Sequence, residues 1–171
     1  VAEYVRSLAS GPAPYDRFVA GDTNALTEQQ QQGLELFEGK AGCIRCHNGP
    51  YTSDGKPHNT GVPENMEVFN NPMRHMTYQS VIANHGVPKA DIWRRDVGYF
   101  LVSKRYADVG KFITPTLREL KYTAPYMHNG TMETLDDVVE FYNQGGGKDD
   151  PLATELDPLG LTVKEKRDLV A

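Results

Sequence analysis

Hydrophobic residues recur at helical spacing in short stretches of this chain, and polar residues mark where those stretches begin. One helix face is formed by four residues at i, i+3, i+4 and i+7, namely Leu135, Val138, Val139 and Tyr142. Thr134 opens this stretch as the first residue of a capping box, and the glycines at 145–147 predict its end. The pattern therefore predicts a helix on which Tyr142 points towards the core.

The same signals predict four further helical pieces joined by irregular segments. They are the last turns of a helix at 1–9, a helix from Thr27 to Gly39, a short helix at 74–84 and a helix opened by Thr162. Residues 10–24 read as a linker rich in glycine and proline, 48–72 as a loop, and 87–110 as ambiguous. We expect a mainly α fold, with residues 1–24 as the remnant of a preceding domain and its linker and 25–171 as the principal domain.

Composition agrees with an ordinary folded protein. The chain has 171 residues, 39% of them hydrophobic, and a mean hydropathy of -0.55. No apolar run is long enough to cross a bilayer. A formal net charge of -5 argues against a nucleic-acid partner and favours partners with a basic face.

Both cysteines of the chain lie in the sequence Cys43-Ile44-Arg45-Cys46-His47. This spacing predicts covalent attachment of one haem c by Cys43 and Cys46, with His47 as an axial ligand of the iron. A thioredoxin-like redox pair is disfavoured because no βαβ pattern surrounds the motif, and a zinc site because no second paired motif supplies further ligands.

The residue on the opposite face of the iron sets its potential and reactivity. Spacing favours no methionine decisively, and the helical face makes Tyr142 a buried candidate that is equally compatible with a core residue. The full set of candidates comprises Met66, Met73, Met76, Met127, Met132, Tyr142 and the single histidines at 58, 75, 85 and 128. Trp93 is expected to be a packed or interface aromatic, with electron relay as the alternative.

Several motifs beyond the haem sequence occur in an order that resembles a known family. They are Leu34-Glu35-Leu36-Phe37, His58-Asn59-Thr60-Gly61-Val62-Pro63, Gly110 to Arg118, Thr123 to Gly130, and Thr134 to Tyr142. Together with the haem motif they resemble the C-terminal half of bacterial di-haem cytochrome c peroxidases and their MauG-like relatives. The resemblance implies a c-type cytochrome domain with long haem-wrapping loops, in a soluble periplasmic protein.

In that family the N-terminal haem meets hydrogen peroxide, while the C-terminal haem is six-coordinate and supplies or stores electrons. The MauG-like branch has a tyrosine as distal ligand where the peroxidase branch has methionine, and the resemblance places Tyr142 at that position, with Met127 as the alternative. It also implies calcium at the interface of the two haem domains, bound partly by the carbonyls of Thr123 and Pro125. Arg118, His58 and His128 are candidate partners of haem propionates or of the inter-domain loop.

The expected function is the electron-transfer haem domain of a peroxidase-family oxidoreductase that uses hydrogen peroxide, with a second haem domain and a redox partner protein. That partner would be a small cytochrome, a cupredoxin or a protein substrate. This chain alone carries one haem motif and is not expected to be catalytic by itself. Glu119 stands where the family more often has asparagine, and the region 64–96 is longer than expected, as for a docking feature. The alternative is a free-standing or complex-bound mono-haem electron carrier.

Overall fold

The fold was analysed in a computed structural model, which describes residues 2–7, 11–86, 94–153 and 156–171. Within those ranges the chain forms α1 (Ala2–Ser7), α2 (Pro14–Val19), α3 (Glu28–Glu38), α4 (Met66–Phe69), α5 (Pro72–Asn84), α6 (Phe100–Ser103), α7 (Leu135–Asn143) and α8 (Val163–Val170). Strands β1 (Pro57–His58) and β2 (Phe112–Ile113) pair antiparallel, with Pro57 opposite Ile113. The predicted mainly α class is confirmed.

The predicted capping boxes start three of these helices. Thr27, Thr134 and Thr162 each accept a hydrogen bond from the backbone N–H three residues on, and the side chain at that third position returns a bond to the cap backbone. Such reciprocal bonds satisfy backbone donors that the first turn of a helix leaves free. The starts of α3, α7 and α8 are thus set by local chemistry.

Helix α3 packs against α8, and α8 packs against α7. Gly33 makes the first contact possible, since a Cβ at this position would lie 2.0 Å from the carbonyl oxygen of Asp168. A second cluster has Ile82, Val97, Phe100 and Val109 at its buried centre. The turn that carries the haem motif packs against α3.

Three irregular segments contain more regular structure than the sequence indicates. The predicted linker at 10–24 contains α2, which starts with Pro14 in its first turn and with the Asp16 carboxylate accepting the backbone N–H of Ala13 at 2.7 Å. The predicted loop at 48–72 contains β1 and α4, and the ambiguous stretch contains α6. Trp93 lies outside the described residues.

No helix in the described part of the chain combines the length and apolar character needed to span a bilayer.

Candidate haem site

The haem motif folds as one tight 3-10 turn at Cys43–Arg45, directly after α3 and a short glycine-containing turn. Gly42 adopts a left-handed φ of 64°, and the backbone N–H of His47 donates to the carbonyl of Cys43 at 2.9 Å. This turn brings both thiols and the imidazole onto one short stretch of backbone, which is the arrangement that attachment of one porphyrin requires.

His47 is held in the form that a metal ligand needs. Its Nδ1 lies 3.0 Å from the carbonyl oxygen of Thr52, so Nδ1 carries the proton and Nε2 is left as the ligand atom. Burial lowers the pKa of His47, and the carbonyls of Thr52 and Pro115 oppose that shift. The half-buried ring is therefore a neutral imidazole with a fixed tautomer near pH 7.

The chemistry of the two cysteines disfavours a redox pair. Cys43 and Cys46 are both free thiols. Burial raises the pKa of each thiol, and the Asp54 carboxylate raises that of Cys46 further. Reactive dithiol motifs have lowered thiol pKa values. The environment of the two sulfur atoms thus differs from that of a dithiol oxidoreductase.

One of these cysteines belongs to a group of three potential metal ligands. Ligand atoms of Cys46, Asp54 and His58 all lie within 4.8 Å of one another. His58 Nε2 and the Asp54 carboxylate are already paired at 2.8 Å. The three groups would suit a divalent cation only if Cys46 were not consumed by haem attachment.

Tyr142 lies at the same site as the haem motif, although α7 follows it by about a hundred residues. Burial raises the pKa of the Tyr142 phenol, a side-chain hydrogen bond with Thr60 opposes this, and the Cys43 and Cys46 sulfur atoms raise it further. The last effect means that the Tyr142 hydroxyl is within electrostatic range of both sulfur atoms. Helix α7 is half-buried along the predicted apolar face, and Asp136 on its other side is exposed.

A close backbone crossing holds the end of α7 in this place. Gly147 donates its N–H to the carbonyl of Thr60 at 3.0 Å. A Cβ on Gly147 would lie 1.7 Å from the carbonyl oxygen of Gly61, and a Cβ on Gly61 would lie 2.2 Å from that of Gly147. Only glycine at both positions allows the two backbones to meet, and the contact is made five residues after Tyr142.

The methionine candidates differ in their surroundings. Met66, Met73 and Met76 expose 50%, 69% and 64% of their surface on α4 and α5. Met132 is buried, and its carbonyl accepts the N–H of Tyr126. Met127 is half-buried with a left-handed φ of 66°.

The three residues predicted to contact haem propionates or the inter-domain loop have protein partners of their own. Arg118 makes a bidentate ion pair with the Asp16 carboxylate, at 2.7 and 3.0 Å. Its Nε donates to the carbonyl of Pro50 at 2.9 Å. His128 stacks on Phe112 with 3.5 Å between ring centroids. His58 pairs with Asp54 as described above. Arg118 thereby ties α2 to the loop after His47, a contact that the sequence did not indicate.

The predicted calcium carbonyls belong to an exposed segment. Thr123 and Pro125 are both exposed, and the Ala124–Pro125 peptide bond is cis. Carbonyl oxygens suit a hard cation, but a site needs several more oxygen ligands than these two. Calcium binding at this segment stays a prediction.

Sequence reasoning also missed Thr52, which adopts a left-handed φ of 48° in the loop after the motif. Its carbonyl accepts from His47, and its hydroxyl accepts the backbone N–H of Leu117 at 2.7 Å. A threonine within a glycine- and proline-rich loop gives no signal of such a role. Only the tertiary contact between this loop and residues 114–118 identifies it.

The whole chain is similar to part of several longer proteins. It is 57% identical over 171 residues to cytochrome-c peroxidase IdrP2 of Denitromonas iodatirespirans, of which it spans 46%. It is 32% identical over 171 residues to the methylamine utilization protein MauG of Methylorubrum extorquens, of which it spans 41%. The chain thus spans less than half the length of these relatives.

A solved structure shows the same fold. It is that of a MauG-like protein associated with microbial copper homeostasis, and it superimposes with a TM-score of 0.69 at 28% sequence identity. The match covers 94% of this chain and 46% of that one. No protein-family model matches the chain.

Proposed function

This chain belongs to the bacterial cytochrome c peroxidase and MauG-like family, whose C-terminal part it matches, and we propose that it is the electron-transfer haem domain of such an enzyme. In this proposal Cys43 and Cys46 would attach one haem c, and His47 and Tyr142 would supply ligands to its iron. A bound haem supplies one-electron chemistry at its iron. The observation that carries the proposal is the tight turn on which two free thiols precede an imidazole whose Nδ1 bonds to the Thr52 carbonyl.

On the proximal side, the residues present fit a c-type haem. His47 is a neutral imidazole whose Nδ1–H is engaged by the Thr52 carbonyl, so its Nε2 lone pair is free to bind a metal. Two reduced thiols precede it on one tight turn. The imidazole and the two thiols need no change of tautomer or oxidation state before they bind haem.

On the distal side, Tyr142 would bind as a phenolate. Its raised pKa means that the neutral phenol is favoured in the absence of a cation, so ligand binding would be coupled to loss of the phenolic proton. An anionic oxygen ligand stabilises ferric over ferrous iron. A haem closed on both faces would relay or store oxidising equivalents, and peroxide would react at the second haem domain. Met127 is the alternative ligand.

The wider proposal covers the whole protein. We infer a periplasmic di-haem oxidoreductase that uses hydrogen peroxide, with the haem domain at 25–171 wrapped by long loops. Calcium would lie between the two haem domains, bound partly by the carbonyls of Thr123 and Pro125. A small cytochrome, a cupredoxin or a protein substrate would be the redox partner. These features follow from the family relationship.

The number of covalent haems in the full-length gene product tests the di-haem proposal. Intact mass under denaturing conditions is expected to show two haems, of which one is lost when Cys43 and Cys46 are both replaced by alanine. A single haem would favour the mono-haem carrier. A protein that contains zinc and no covalent haem would point to the Cys46, Asp54 and His58 cluster instead.

Ligation by Tyr142 is tested with Tyr142→Phe in the same holoprotein. The expected result is a change of the ferric spectrum from low spin to high spin, read by absorption and electron paramagnetic resonance. Tyr126→Phe is the matched control, since Tyr126 is also half-buried and donates its hydroxyl to the carbonyl of Leu120 at 2.9 Å. An unchanged low-spin spectrum in Tyr142→Phe would rule out Tyr142 as a ligand and favour Met127.

A further inference from the structure

The loop after the haem motif is joined at several points to residues 114–118. Ser53 Oγ donates to the carbonyl of Thr114 at 2.6 Å, and the Thr52 hydroxyl accepts the N–H of Leu117 at 2.7 Å. The hydroxyls of Thr52 and Thr116 lie 3.3 Å apart. Thr52 is therefore at the centre of the contact between the two segments.

Those two segments also supply two carbonyls that act on the His47 ring. The Thr52 carbonyl oxygen lies 3.0 Å from Nδ1, and the Pro115 carbonyl also acts on the ring. Any change in the spacing of the two segments would alter the direction or strength of the hydrogen bond at Nδ1. The Thr52 hydroxyl is placed to prevent such a change.

The backbone at Thr52 argues that this contact is needed. Its φ of 48° lies in the left-handed region, where a β-branched residue is a genuine outlier. Residues in such conformations persist where the surrounding contacts hold them, and they cluster at functional sites. Glycine or asparagine would adopt this φ with less strain, but glycine has no side chain to accept the Leu117 N–H.

We propose that Thr52 is a positioning residue for His47: its carbonyl oxygen orients the imidazole, and its hydroxyl anchors that carbonyl to residues 114–118. The inference rests on the proposed role of His47 as an axial ligand. A hydrogen bond from Nδ1–H raises the basicity of a ligating imidazole and so favours ferric iron. Loss of the anchor weakens this bond, and the reduction potential of the haem rises.

The test measures the midpoint potential and the ferric electron paramagnetic resonance spectrum of the full-length holoprotein in three variants. Thr52→Val removes the hydroxyl and keeps the side-chain shape, whereas Thr52→Ser keeps the hydroxyl. Thr52→Gly also removes the hydroxyl but relieves the left-handed strain, so it remains informative if Thr52→Val folds poorly. Thr77→Val is the control, because Thr77 is an exposed threonine of α5 whose hydroxyl donates to the carbonyl of Met73.

The midpoint potential of the haem is expected to rise in Thr52→Val and Thr52→Gly, and the g values of the ferric spectrum are expected to change. Both should stay at their wild-type values in Thr52→Ser and Thr77→Val. Wild-type potential and g values in both Thr52→Val and Thr52→Gly would overturn the inference, even if thermal stability fell. An equal shift in Thr52→Ser would also overturn it. Failure of the haem assignment on which the inference rests is distinguishable, because the wild-type protein would then carry no covalent haem on this domain.

Discussion

Replacement of Gly147 by alanine tests whether the backbone crossing beneath Tyr142 is as tight as the structure indicates. The new Cβ would lie 1.7 Å from the carbonyl oxygen of Gly61, and real Cβ contacts almost never fall below 3.0 Å. The two backbones must therefore separate by about 1.3 Å, the difference between these two distances. Gly147 is not left-handed, so the substitution introduces a steric change without backbone strain of its own.

The magnitude follows from three contributions. Separation breaks the hydrogen bond from Gly147 N–H to the carbonyl of Thr60, now 3.0 Å, which costs about 1 kcal/mol. Overpacking of a close contact costs roughly 1–3 kcal/mol. Alanine lowers the entropy of the unfolded chain and returns about 0.4–1 kcal/mol. We expect a net destabilisation of about 2 kcal/mol, or a fall in melting temperature of roughly 4–8 °C for a domain of this size.

Thermal unfolding followed by circular dichroism measures this effect, with Gly11→Ala as the control. Gly11 has no atom within 4 Å of its Cβ position and is not left-handed, so its substitution should raise the melting temperature slightly, through the same loss of unfolded-chain entropy. The separation also moves the end of α7, so the ferric spectrum of the holoprotein should shift in the direction expected for Tyr142→Phe. Equal melting temperatures for the two alanine variants would refute the reasoning.

Two further substitutions test conformation and charge. Glu119 has a left-handed φ of 64°, so Glu119→Asn should raise the free energy of unfolding by about 1 kcal/mol. Urea unfolding measures this free energy. An equal gain in the exposed control Glu133→Asn would contradict the explanation. The hydrogen bond from Arg118 lowers the pKa of Asp16 to about 2, below an unfolded value of about 3.9. The pair therefore stabilises the fold fully above about pH 4 and loses this effect as the pH falls towards 2, so the deficit of Asp16→Asn in urea unfolding should shrink over that range. A constant deficit would show that the lost stability does not come from the charge of Asp16.

The sequence predicts those elements whose determinants lie within four residues of one another. The starts of α3, α7 and α8 were predicted because a threonine cap and its return partner are neighbours in the chain. The determinants of the haem motif are equally local, because its two thiols and its imidazole occupy five consecutive residues, and haem attachment there stays a prediction. Local chemistry of this kind needs no tertiary information.

The elements missed by the sequence depend on contacts between distant segments. Helix α2 has two local signals, Pro14 in its first turn and the Asp16 carboxylate on the Ala13 N–H. The preceding glycine and prolines outweighed these signals in the sequence, and the ion pair from Asp16 to Arg118 spans 102 positions. Likewise, nothing near Thr52 in the sequence indicates its bond to Leu117. Such pairings become visible only when the fold is known.

The two candidate axial ligands are supported by one continuous segment of backbone. Thr52 holds the Nδ1 of His47, and eight residues later Thr60 accepts the N–H of Gly147 beneath the end of α7. Between them, the pairing of β1 with β2 holds residues 57 and 58 in place. If haem binds as proposed, the segment 52–60 would act on both of its ligands, through the bond to Nδ1 of His47 at one end and through the position of α7 at the other. We therefore expect Thr52→Val to alter the reduction potential and Gly147→Ala to alter ligation by Tyr142.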